Sequence, residues 1–127
     1  MKKKYFFLIN SLITASLVVI AFSQQGCLYD KPAVVTGCDT AKVTYSGSVK
    51  PILVANCIRC HNAPNAVNVA GVILDDYAFV IRQVPQPLLD AINHTGSVTP
   101  MPKDGGKLDD CSIAKITIWI REGAKDN

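Results

Sequence analysis

The sequence predicts a small all-α domain behind an N-terminal export segment. Three observations carry this prediction. Ile113, Ile116 and Ile120 recur at the spacing of one helical face, between Asp109 as an N-cap and Gly123 as a stop. A second apolar group, Ile52, Leu53 and Ala55, follows Ser46, Ser48 and Pro51, all suited to a helix start. Val43-Thr44-Tyr45 has β-like composition but is too short to carry a strand. About a hundred residues follow the export segment, which suits one domain with a modest core. No internal repeat or low-complexity run divides them.

Taken in order, residues 1–26 read as an address rather than as part of the fold. Lys2, Lys3 and Lys4 form a positive start, and Tyr5 to Phe22 is mostly apolar, interrupted by Asn10, Ser11, Thr14 and Ser16. The same stretch is just long enough for a membrane anchor. Leu28 to Tyr45 has Pro32, Gly37 and no sustained period, and so reads as a tether. The first helix is expected from Ser46 or Ser48 up to Cys57, with Pro51 in its first turn. Asn62 to Gly71 reads as loop around Pro64. Asp75 and Asp76 suit the start of a short helix running to Ile81, because acids favour a helix N-terminus. Pro85 and Pro87 interrupt the chain, and Leu88 to Asn93 forms another short helix. Thr95 to Leu108, with Pro100, Pro102, Gly105 and Gly106, is a long loop, and long loops in small domains are often functional. The last helix spans Asp109 to Arg121, with Trp119 and Ile120 packed on the first helix. Trp119 is better read as core than as an electron conduit.

Charge excludes one class of partner. The chain has 13 basic and 10 acidic residues, and the three signal lysines account for the whole excess. The remainder is formally neutral and carries no basic footprint for nucleic acid.

Cys57-Ile58-Arg59-Cys60-His61 is the most specific motif. Cys-x-x-Cys-His is the attachment signature of c-type haem. Two thiols must reach two vinyl groups on one porphyrin edge, and cysteines three apart lie on nearly one face of a helical turn. The next residue, His61, then reaches the iron from the proximal side, as histidine commonly does. Besides Met1 the chain has one methionine, Met101, about forty residues further on between Pro100 and Pro102. A thioether held on a proline-stiffened loop is a natural sixth ligand. The plain alternative is a methionine filling a core gap. His94, the second of two histidines, is a competing sixth ligand, although His94-Thr95-Gly96-Ser97 reads as a turn. Two other uses of the motif are weaker. Cys57, Cys60 and His61 with a further cysteine would suit zinc. A thioredoxin-like Cys-x-x-Cys would need a βαβ setting that the flanks lack.

Five cysteines are present: Cys27, Cys38, Cys57, Cys60 and Cys111. Haem takes two and leaves an odd number, which an exported protein must accommodate. Gly26-Cys27 at the end of the export segment resembles the lipobox of bacterial lipoproteins, in which the cysteine carries lipid. Gln24 and Gln25 depart from that pattern, and cleavage after Ala21-Phe22-Ser23 competes with it. With Cys27 lipidated, Cys38 and Cys111 are left to pair in an oxidising compartment. Closing so long a loop is worth about 4 kcal/mol in the chain-entropy account. Two separate buried thiols are the alternative.

With the haem motif, Met101-Pro102 and a closing helix containing Trp119-Ile120, the chain resembles class I cytochrome c domains over about residues 45–125. It looks closest to small bacterial exported or lipoprotein-type monohaem cytochromes. The resemblance implies a mainly helical domain at 45–127 around one covalent haem c, after a signal at 1–26 and a tether at 27–44. It implies Cys57 and Cys60 as thioether donors, His61 as proximal ligand and Met101 as distal ligand. It also implies a Gly-Pro backbone partner for the proximal histidine, for which Pro64 is the candidate. The function expected is one-electron transfer outside the cytoplasmic membrane, with redox proteins as partners. The membrane would be met through lipid on Cys27, with no small-molecule substrate and no enzymatic turnover. A haem peroxidase or a gas-binding sensor would require Met101 to be displaceable.

Overall fold

The computed structural model describes residues 35–103 and 105–127, which lie in one compact unit, Pro32–Asn127. The export segment and Cys27 lie outside the described residues. The described residues are helical, with no strand among them. No helix among them is long and apolar enough to cross a membrane.

The first helix starts earlier than the serines suggest. Thr44, in extended backbone, is the cap: its hydroxyl accepts from the Gly47 amide at 3.0 Å. The cap depends on glycine, because a Cβ at position 47 would sit 2.8 Å from the Thr44 hydroxyl oxygen. Ser48 and Val49 both donate to the Thr44 carbonyl, at 3.1 and 3.2 Å, so the chain opens in a wide π-helical turn, Tyr45–Val49. That turn buries Tyr45 and Val49 and leads into α1, Lys50–Asn56, which buries Leu53. Pro51 is the second residue of α1 and follows the π-helical turn directly.

The stretch expected as loop contains a 3-10 turn, Ala63–Asn68, capped by the Asn62 side chain. Helix α2, Tyr77–Val80, is capped by Asp76, whose carboxylate accepts from the Ala78 amide at 2.8 Å. A 3-10 turn, Ile81–Gln83, leads towards α3, Gln86–Asn93. Pro85 and Pro87 open α3 rather than break the chain, since both fall where a helix has spare amides. Helix α4 is Asp110–Arg121, and the Asp109 carboxylate caps it by accepting from the Ser112 amide at 2.9 Å. Gly123, at φ +95, ends it.

The core lies between the π-helical turn and α4. Ile116 and Trp119 are its buried edge on α4, whereas Ile113 and Ile120 are half-covered. The helix is rotated so that its largest side chain takes the centre. The Tyr45 ring lies 5.4 Å from Trp119 and 5.1 Å, edge-on, from Tyr77. The polar ends of two of these rings are satisfied by the chain after α4: Trp119 Nε1 donates to the Lys125 carbonyl and Tyr77 Oη to that of Ala124, each at 2.8 Å. Cys38 and Cys111 are joined in a disulfide with Cα atoms 5.5 Å apart. The bond ties the residues ahead of the first helix to the first turn of α4.

Candidate functional site

Helix α1 delivers the chain into a tight turn at the Cys-x-x-Cys-His motif. Cys57 and Ile58 both donate to the Leu53 carbonyl, at 2.8 and 3.0 Å. Cys60 and His61 then both donate to the Cys57 carbonyl, at 3.1 and 2.9 Å. The five motif residues are thereby coiled into one compact turn. Carbonyls that this turn leaves open are taken up by amide side chains. Asn62 Nδ2 donates to the carbonyls of Ile58 at 2.8 Å and Arg59 at 3.3 Å, while its Oδ1 accepts from the Asn65 amide at 3.1 Å.

The chain then turns back on itself. Ala70 and Gly71 adopt positive φ, 53° and 77°, and the segment from Val72 to Asp75 returns beside the motif. Three bonds join the two stretches. The His61 carbonyl accepts from the Leu74 amide at 2.9 Å. The Asp75 carboxylate accepts from the Ala63 amide at 3.0 Å. The His61 ring places Nδ1 3.2 Å from the Val72 carbonyl. A carbonyl only accepts, so Nδ1 is the donor, and in the neutral ring Nε2 then keeps its lone pair. Metal-bound histidines are commonly oriented by such a bond from the other ring nitrogen. Pro64, the candidate partner from the sequence, lies exposed on the 3-10 turn; the acceptor is Val72 instead.

The two motif thiols are free and differ in setting. Cys60 is exposed, whereas Cys57 is half-buried against the core, and burial pushes its thiol up to about 11. A thiol held protonated at neutral pH is a poor nucleophile, the reverse of what thiol–disulfide exchange requires. Cys38 and Cys111 are bonded to each other, and among the described residues no three His, Cys, Asp or Glu side chains gather into a metal-holding set.

Met101 lies half-buried on the Thr95–Leu108 loop, which has no helix among its described residues. Its amide donates to the Ala91 carbonyl at 2.9 Å, and its carbonyl lies 3.1 Å from His94 Nε2. His94 therefore directs that nitrogen at Met101, in an exposed position at the end of α3. Motif and loop are anchored separately, His61 on Val72 and Leu74, Met101 on Ala91 and His94.

The residues present fit a covalently held porphyrin. Two thiols sit three apart on one turn, followed by an imidazole with a free Nε2, and Ile58 and Val72 beside them are packed on the core yet only half-covered. Sequence reasoning missed the parts played by Val72, Asn62 and Asp75. The Asn62–Asn65 pair and the turn-forming Ala70-Gly71 were the signals on offer. The chain matches no family model, no curated protein and no solved structure.

Proposed function

We propose that this chain is a monohaem c-type cytochrome that carries single electrons outside the cytoplasmic membrane. The observation that supports it most is the His61 ring, whose Nδ1 is committed to Val72 and whose Nε2 is left for a metal, directly after two free thiols on one turn. Cys57 and Cys60 would hold haem c by thioethers, with His61 and Met101 as axial ligands. Haem so held supplies a ferric/ferrous couple whose potential is raised by the axial sulfur. The chain's own part is to fix both ligands and to keep one face of the site apolar. Met101 is bonded at its amide and at its carbonyl, which favours a carrier over a peroxidase or gas sensor, where the sulfur must leave readily. Its partners would be redox proteins met in brief encounters, with Cys27 as the site of a lipid anchor.

The test is intact mass after acidified organic extraction, with a reduced absorption spectrum, on protein produced with c-type maturation machinery. Haem that survives extraction and a c-type spectrum are expected, and the same mass reports acylation of Cys27. Haem-free protein beside a matured control cytochrome would overturn the proposal.

A further inference from the structure

Resting on that reading, we infer that His94 is a positioning residue for the Met101 sulfur. Thr99-Pro100-Met101-Pro102 is a poor strap for holding anything by backbone alone. Pro100 and Pro102 have no amide hydrogen, so Met101 is the donor between them. That donor reaches the Ala91 carbonyl at 2.9 Å, on the last turn of α3. The Met101 carbonyl must then find a donor elsewhere, and the following proline cannot help. His94 Nε2 supplies it at 3.1 Å.

The way α3 ends makes this reach available. His94 adopts the left-handed conformation, φ 59°, as the residue that terminates the helix. Thr95 closes the turn by donating to the Asp90 carbonyl at 2.9 Å. Gly96 follows at φ +69, where a Cβ would lie 2.7 Å from an Asp90 carboxylate oxygen. The turn is therefore tightly specified, and the imidazole leaves it towards the strap. Met101 is gripped at both its amide and its carbonyl by one structural unit, the end of α3. A side chain whose own backbone is fixed at both ends loses freedom before it binds, which lowers the cost of ligation.

Two substitutions in the holoprotein separate the side chain from the backbone. His94→Asn tolerates the left-handed conformation but cannot reach the strap. His94→Gln retains an N–H donor of similar reach. His94→Asn is expected to keep thioether-linked haem while imidazole displaces the axial sulfur at about fivefold lower concentration, the worth of one lost hydrogen bond. Exchange of the Met101 amide hydrogen should quicken by a similar factor, and His94→Gln should return both towards the parent. In a Met101→Ala background, His94→Asn should leave imidazole affinity unchanged, because the effect passes through the sulfur. Equal behaviour of His94→Asn and the parent, or equal impairment by both substitutions, would overturn the inference. If His94→Asn does not fold, the tautomer in the parent decides: nitrogen NMR must show the proton on Nε2, and a proton on Nδ1 alone would sink it. A parent without covalent haem would sink the carrier reading instead, and exchange at Met101 would still report on the clamp.

Discussion

The two sides of the candidate haem site are held in unlike ways. On the proximal side, His61 is fixed at its ring and at its carbonyl by a returning segment, and its neighbours are fixed by Asn62 and Asp75. On the distal side, Met101 is fixed by the end of α3 alone, on a long loop without helix among its described residues. The proximal side is therefore built like part of the core, whereas the distal side is a strap with one anchor. If the two residues are the ligands proposed, His61 is expected to survive most perturbations, and Met101 is the adjustable part.

The largest expected effect breaks the site at its covalent attachment. Cys57→Ala with Cys60→Ala should abolish covalent haem altogether, read by mass after extraction; retained thioether-linked haem would refute the assignment. Next comes the strap. Met101→Ala should keep the haem, lower the potential on the order of 100 mV within the ~0.8 V that axial ligands span, and admit carbon monoxide. An unchanged spectrum and potential would remove Met101 from the site. A smaller effect sharpens the proximal half. Asn62→Ala leaves the Ile58 carbonyl without its side-chain donor and the Arg59 carbonyl with the Asn65 side-chain amide at 3.4 Å, and should cost about 1–2 kcal/mol in denaturant unfolding. It should alter the Met101 strap little, so its imidazole competition should match the parent.

The smallest effect concerns the haem-free chain. Burial raises the Cys57 thiol from its ordinary 9.0 to about 11, so the folded state holds that proton more tightly than the unfolded state. The associated stability is complete below pH 9.0 and is lost as pH rises towards about 11. Alkylation should accordingly label exposed Cys60 first and reach Cys57 only in strong alkali. Equal labelling of both thiols at neutral pH would show that Cys57 is not sheltered.

Much of the helical scaffold was legible because its signals are local. Asp109 caps α4 and Gly123 ends it, each through bonds within a few residues. Pro51 marks the first turn of α1 for the same reason. The π form of the opening turn and its Thr44 cap were not legible: Ser-Gly-Ser carries no helical period, and Tyr45 is buried against Tyr77 and Trp119, far along the chain. The same limit applies at the site. Cys57, Cys60 and His61 announce themselves by spacing, but Val72 takes part through a backbone carbonyl, which any residue possesses. The bond from His94 to Met101 joins two residues that the sequence presents as competitors for one position, and the structure makes them partners.

The disulfide also decides how the domain answers to force. Cys38 and Cys111 enclose the first helix, the Cys57–His61 turn and the Met101 strap in a single covalent loop. A pull applied from the N-terminal side of Cys38 enters through its sulfur and passes straight into the head of α4. The enclosed stretch adds nothing to the extensible length while that bond is intact. A molecule tethered at its N-terminal end could thus be tugged by its surroundings without the load passing along the backbone that presents His61 and Met101.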